Sequence, residues 1–222
     1  MYYNSYGSVS EGRDAMSLAL LFAIIASIMA LSRIVVIYRA LKEKVRAGSV
    51  DPVSWFIWGG LGVMTLVPQI VDAGWQPALL FGAANVVVNA AIVWLARKHG
   101  IKFTRKDVIT IGVVAGSVAL CVLSGNAFLG LMISLLADFV GVARTWRKAW
   151  RDPDSERAMT WLLAASAGGS AVISAVYAGE MINLLYPVYA IGNALMSAVI
   201  VVGRRKYLER KAARLALLSE AE

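Results

Sequence analysis

Cysteine and histidine each occur once, as Cys121 and His99. One thiol inside an apolar run excludes a disulfide framework within the chain. One thiol and one imidazole cannot by themselves build a metal site, and no cofactor is expected. Lysine is absent from every long apolar run, so no side chain is placed to hold retinal as a Schiff base. No Ser/His or paired-Asp arrangement within those runs supports intramembrane proteolysis, and no Gly-rich phosphate loop signals an ATP-driven step. Nothing in the chain reads as an enzyme. Charge is scarce as well: 16% of residues are charged against 59% hydrophobic, and the mean hydropathy is +0.67. That composition is too apolar for an ordinary soluble domain and is that of a chain solvated by a lipid bilayer.

What charge there is is mostly basic, for a net +8. In a soluble chain this would suggest nucleic acid. Here the basic residues collect at the ends of apolar runs, as positive charge does on the cytoplasmic side of a membrane, and nucleic acid is not an expected partner. The polar segment 1–14 has no positive n-region and no small-residue cleavage site, which argues against a cleaved signal peptide. Seven runs follow, at about 15–38, 52–71, 77–96, 107–123, 126–144, 158–177 and 182–202. The fourth, at about 17 residues, is the shortest that can cross hydrocarbon. Asp51-Pro52 reads as N-cap and first helical position of the second, with Pro68 expected to kink it. The first–second, third–fourth and fifth–sixth connections and the C-terminal tail carry nearly all of the 22 basic residues, while the opposite side has Arg13 alone. The expectation is an inner-membrane protein with its N-terminus outside and its C-terminus in the cytoplasm.

The chain also repeats itself. Arg144 to Trp161 reads RTWRKAWRDPDSERAMTW, and a fainter copy, YRALKEKVRAGSVDPVSW, ends at Trp55. Setting Trp55 on Trp161 puts Lys42 on Lys148, Ser49 on Ser155, Ser54 on Thr160 and Gly62 on Gly168. A unit of three spans ends on the side opposite its start. Repeating it in the same orientation requires one extra crossing, which the fourth run supplies. The expected fold is therefore all-α, a polytopic membrane protein whose seven transmembrane helices form two parallel three-helix bundles joined by a linker helix. Its parts are an outer tail (1–14), a first repeat (15–96), a basic loop with the linker helix (97–125), a second repeat (126–203) and a basic tail (204–222). The tail is weakly amphipathic and is expected on the membrane surface or in solvent. Gly112 and Gly116 give the linker helix a small-xxx-small pair suited to close packing, and a homo-oligomer is left open.

This 3+1+3 plan, with a basic loop and a following hydroxyl and aromatic residue in each repeat, resembles the PQ-loop/SWEET superfamily. The second copy is also similar to bacterial SWEET-like membrane proteins without assigned function. The naming Pro-Gln pair is missing from both expected places, where Val35-Val36 and Arg144-Thr145 stand. Pro68-Gln69 lies at the far end of the second span instead. In that superfamily the prolines let helices bend during alternation.

Polar residues within the spans are the site candidates, because a charge in hydrocarbon costs about 2.5–3.5 kcal/mol on insertion scales. Arg33 and Asp138 lie within the first and fifth spans, where the expected ion pair gating the inner side of a pathway competes with a snorkelling Arg33 and an Asp138 satisfied by hydroxyls. Asn85 and Asn89 share one face of the third span. Asn193 lies in the seventh, after Pro187 and Gly192, which match Pro77 and Gly82. By resemblance, Asn85, Asn89 and Asn193, with Trp58 and Trp161, would line a substrate cavity. Amides both donate and accept, and indoles offer flat apolar walls. Helix-to-helix bonding by the asparagines and an interfacial belt for Trp55 and Trp161 are the competing readings. The implied function is facilitated or ion-coupled passage of a small polar solute such as a sugar, amino acid or vitamin. The alternative is a non-transporting scaffold or receptor that keeps the fold.

Overall fold

The computed structural model describes residues 9–42, 52–73, 75–77, 79–100, 104–124, 127–179 and 184–219. Among these the chain forms seven α-helices and no strand: α1 (Val9–Lys42), α2 (Pro52–Ala73), α3 (Leu79–Lys98), α4 (Arg105–Ser124), α5 (Ala127–Arg151), α6 (Ala158–Tyr177) and α7 (Leu185–Ser219). A 3₁₀ turn, Pro153–Ser155, joins α5 to α6. The limits of α6 are those of the sixth apolar run. Two helices overrun theirs. α1 begins at Val9, inside the segment read as an outer tail, and α7 carries the basic tail onward as one continuous helix to Ser219. Pro52 is the first residue of α2, and that helix passes through Pro68 to Ala73. Asp51, Ser49 and the first basic loop lie outside the described residues.

Four helices (Gly12–Lys42 of α1, then α3, α6 and α7) are long and apolar enough to cross a membrane, as in an integral membrane protein. The surface of α1 is sorted by size rather than polarity. On α1 the residues at 19, 23, 26 and 30 are alanines with no exposure, and the seam continues through Arg33, Ile37 and Ala40. The opposite stripe, Leu21, Ile24, Ile28, Leu31 and Val35, is exposed. Small residues inside and large apolar ones outside is the packing of helices that have no water to hide from. It lets α1 lie close against α6, where Ser174 Oγ donates to the Ala19 carbonyl at 2.8 Å.

The helix pairings are regular. α1 packs on α3 and α6, α3 on α2, α5 on α2 and α7, and α6 on α7. Exchanging α1, α2 and α3 for α5, α6 and α7 maps these pairs onto one another. α4 stands outside that scheme and touches α5 and α2. Its N-terminal end is tied down by a capping box, in which the Asp107 carboxylate accepts from Thr104 N at 2.8 Å and Thr104 Oγ1 at 2.7 Å. Arg144 of α5 donates to the other Asp107 oxygen at 2.7 Å. The expected close packing at Gly112 and Gly116 is not made among the described residues: both are exposed, and a β-carbon at either would meet nothing within 4 Å.

The repeated glycines do pack closely. A β-carbon on Gly62 would lie 2.8 Å from Val86 of α3, and one on Gly168 would lie 2.8 Å from Ile191 of α7. Below them the α5–α6 loop is clamped to α7. Arg205 donates to the Pro153 carbonyl at 3.0 Å and the Glu156 carbonyl at 2.7 Å, and pairs with Asp154 at 3.1 Å. Arg204 donates to the Trp150 carbonyl and stacks on the Trp150 and Tyr207 rings.

Candidate functional site

A cavity of about 70 Å³ lies between the helices, and among the described residues every helix except α4 contributes to its wall. Arg33 comes from α1, Trp58 from α2, and Phe81, Asn85 and Asn89 from α3. Asp138 and Val142 come from α5, and Trp161 and Ala164 from α6. Tyr186, Tyr189, Ala190, Asn193 and Ala194 come from α7. All seven residues singled out in the sequence therefore meet at one place. Helical spacing explains how each element does this. Phe81, Asn85 and Asn89 recur every four residues along α3, while Tyr186, Tyr189 and Asn193 fall on one face of α7.

The aromatic wall is built from the repeat itself. Trp55 and Trp161, the aligned residues of the two copies, stack with ring centroids 6.2 Å apart and planes 24° from parallel. Trp58 meets both edge-on, at 5.0 Å and 6.0 Å. All three are buried, so Trp55 and Trp161 are core residues and not an interfacial belt. Trp58 is held in place by α5. Its Nε1 donates to the Asp138 carbonyl at 3.4 Å, and a β-carbon on Gly141 would lie only 2.8 Å from that nitrogen. Ser54, one turn earlier on α2, donates to the Gly141 carbonyl at 3.0 Å. Glycine at 141 is what lets α2 and its indole come this close.

The expected ion pair between Arg33 and Asp138 is not formed, although both line the cavity. Arg33 Nη1 donates to Asn85 Oδ1 at 3.1 Å, and its guanidinium carbon lies 5.0 Å over the Trp55 ring. The physical reason is neighbourhood: α1 packs on α3, which brings the Asn85 amide to Arg33, whereas α5 packs on α2, α4 and α7. Asn85 is fixed in turn through its Nδ2, which donates to the Phe81 carbonyl at 3.0 Å. The Asp138 side chain faces the Tyr189 hydroxyl, which itself donates to the Leu135 carbonyl at 3.2 Å. Among the described residues, three buried donors at the cavity wall have no hydrogen-bond partner: Arg33 Nε, Trp161 Nε1 and Asn193 Nδ2. Buried polar groups are usually satisfied, so three orphans around one cavity stand out as points that can receive acceptor atoms.

Tyr186, Tyr189 and Phe81 were not singled out in the sequence. Tyr186 and Tyr189 were detectable, since they precede Asn193 by seven and four residues and so share its face. Among the described residues no group of three or more His, Cys, Asp or Glu side chains could hold a metal ion. The wall offers donors, one carboxylate and flat rings. No family model, curated protein or solved structure matches this chain.

Proposed function

We propose that this chain is a seven-span carrier of SWEET-like plan that passes a small polar solute through the cavity between two related three-helix bundles. The observation that carries the reading is the convergence of six helices, α4 excepted, on one cavity lined by amides, indoles and a separated pair of charges. The exchange of helix pairings between α1–α3 and α5–α7 supports the two-bundle plan, with α4 as the linker. Besides the four apolar helices, α2, α4 and α5 have 22, 20 and 25 residues, each about 30 Å or more and long enough to cross. The basic last turns of α1, α3 and α5, with Arg204 and Arg205 on α7, would lie on the cytoplasmic side.

A second reading, a scaffold or receptor that keeps the fold without moving solute, is favoured by the size of the cavity. About 70 Å³ is far below the roughly 300–1,000 Å³ of ordinary ligand pockets. Reconstitution into liposomes separates the two. The carrier reading expects solute uptake that is lost in Asn85→Ala and in Asn193→Ala while both variants stay folded and monodisperse. Wild-type liposomes that take up no amino acid, sugar or vitamin would leave the scaffold reading. Variants that unfold would assign the asparagines to helix packing.

A further inference from the structure

The charges in the cavity point to the class of solute, an inference that rests on the cavity being a solute site. Arg33 is 6% exposed, yet its contacts at the wall, a neutral amide and an aromatic face, leave its charge uncancelled. Its Nε has no partner. Asp138 lines the same cavity from α5 and faces a neutral hydroxyl, with no lysine or arginine at ion-pair distance. They are the only charged residues in the wall among the described residues. A buried charge without its counterion is costly, by several kcal/mol per ion in real proteins. Here the fold holds one of each sign on a shared cavity and keeps them apart.

A solute with a single charge would cancel one and strand the other, and a neutral sugar would cancel neither. Only a molecule carrying both signs satisfies both ends. The remaining orphan donors, Trp161 Nε1 and Asn193 Nδ2, suit an acceptor-rich end such as a carboxylate. Size agrees. At about 10–15 Å³ of this measure per water, a cavity of about 70 Å³ holds about five to seven waters, room for a small amino acid. We propose that the cavity binds a small zwitterion of the α-amino-acid class, its ammonium on Asp138 and its carboxylate on Arg33.

The test is titration calorimetry on the purified protein in lipid nanodiscs with alanine, N-acetylalanine, alaninamide and glucose. N-acetylalanine lacks the cation and alaninamide lacks the anion. Alanine should bind, and each blocked form should bind roughly thirtyfold more weakly or worse, the usual cost of removing one partner from a buried charge pair. Asp138→Asn, which keeps the shape, should erase the preference for alanine over N-acetylalanine. Arg33→Gln should erase the preference over alaninamide. Should Arg33→Gln fail to fold, Asp138→Asn still decides the matter. Glucose or N-acetylalanine binding as tightly as alanine would overturn the zwitterion and leave the solute site standing. An Asp138→Asn protein that discriminates like wild type would also overturn it. Binding of none of the four would overturn both readings.

Discussion

Replacing Gly168 by alanine tests how closely α6 and α7 must approach. The added β-carbon would lie 2.8 Å from Ile191 Cγ1 and 3.3 Å from the Pro187 carbonyl oxygen. Carbon atoms prefer about 3.5–4.0 Å, so the first contact is too short by the better part of an ångström. Ile191 has little freedom to yield, because a β-branched side chain on a helix is stiff at χ1. The second contact is to backbone, which moves only if the helix moves. Overpacking of this kind costs about 1–3 kcal/mol. Against it stands a gain of up to about 1 kcal/mol for alanine over glycine in a helix. A net loss of roughly 1–2 kcal/mol is expected. Gly62 holds the corresponding place in the first repeat, 2.8 Å from Val86 Cγ2 on the same construction, and Gly62→Ala should lose a similar amount. Gly112→Ala, where nothing lies within 4 Å, should be neutral or slightly stabilising. Thermal unfolding in detergent, followed by circular dichroism, would rank the three. Gly168→Ala and Gly62→Ala proteins as stable as Gly112→Ala would refute the idea that these glycines set the helix approach.

Two further predictions concern other contacts. Arg205→Ala removes the fork that holds the α5–α6 loop, at about 1.5–3 kcal/mol per charge-assisted bond before discounting for a side chain that is 30% exposed. Limited proteolysis between residues 152 and 157 should accelerate, with Arg205→Lys restoring only part because an ammonium lacks the planar fork; unchanged cleavage would remove the clamp from the account. The Trp146 indole donates to Ser197 Oγ at 2.8 Å, and Ser197 donates onward to the Asn193 carbonyl at 2.8 Å. Trp146→Phe and Ser197→Ala should each cost about 1 kcal/mol. The double variant should lose less than their sum, whereas full additivity would mean that the two side chains do not interact.

What could be read from the sequence is what depends on short stretches of it. Hydropathy located the helices, and the limits of α6 came out unchanged because the charged stretch ending at Arg157 and the turn at Gly179 bracket an uncharged run. The repeat aligned Trp55 with Trp161, and those two rings stack. The Arg33–Asp138 pairing failed for a reason of another kind. The repeat sets Asp138 opposite Ser32, next to Arg33, but equivalence under a repeat is not contact. Which groups meet depends on which helices are neighbours, and α1 turns Arg33 towards Asn85 on α3. The Gly112–Gly116 pair carries a similar lesson: small residues permit a helix to be approached, and they do not supply the neighbour. Tyr186 and Tyr189 share the face of Asn193 by their spacing, and went unnoticed because a tyrosine near the end of a span also reads as an interfacial anchor.

The least visible feature was the one that organises the packing. A polarity scale sees α1 as uniformly apolar, since alanine and leucine both count as hydrophobic. Yet the seam of Ala19, Ala23, Ala26 and Ala30 is fully buried, while Leu21, Ile24, Ile28 and Leu31 point outward. In water such a helix would be inside out, because its largest apolar area is the part left exposed. In lipid it is consistent, because burying leucine against another helix gains little over leaving it among acyl chains. Close backbone approach through alanine gains dispersion contacts that lipid cannot match. The same close approach carries Arg33, on the seam one turn beyond Ala30, into the cavity wall. Side-chain size, read at intervals of three and four residues, therefore predicts both the buried face of α1 and the position of its one buried charge.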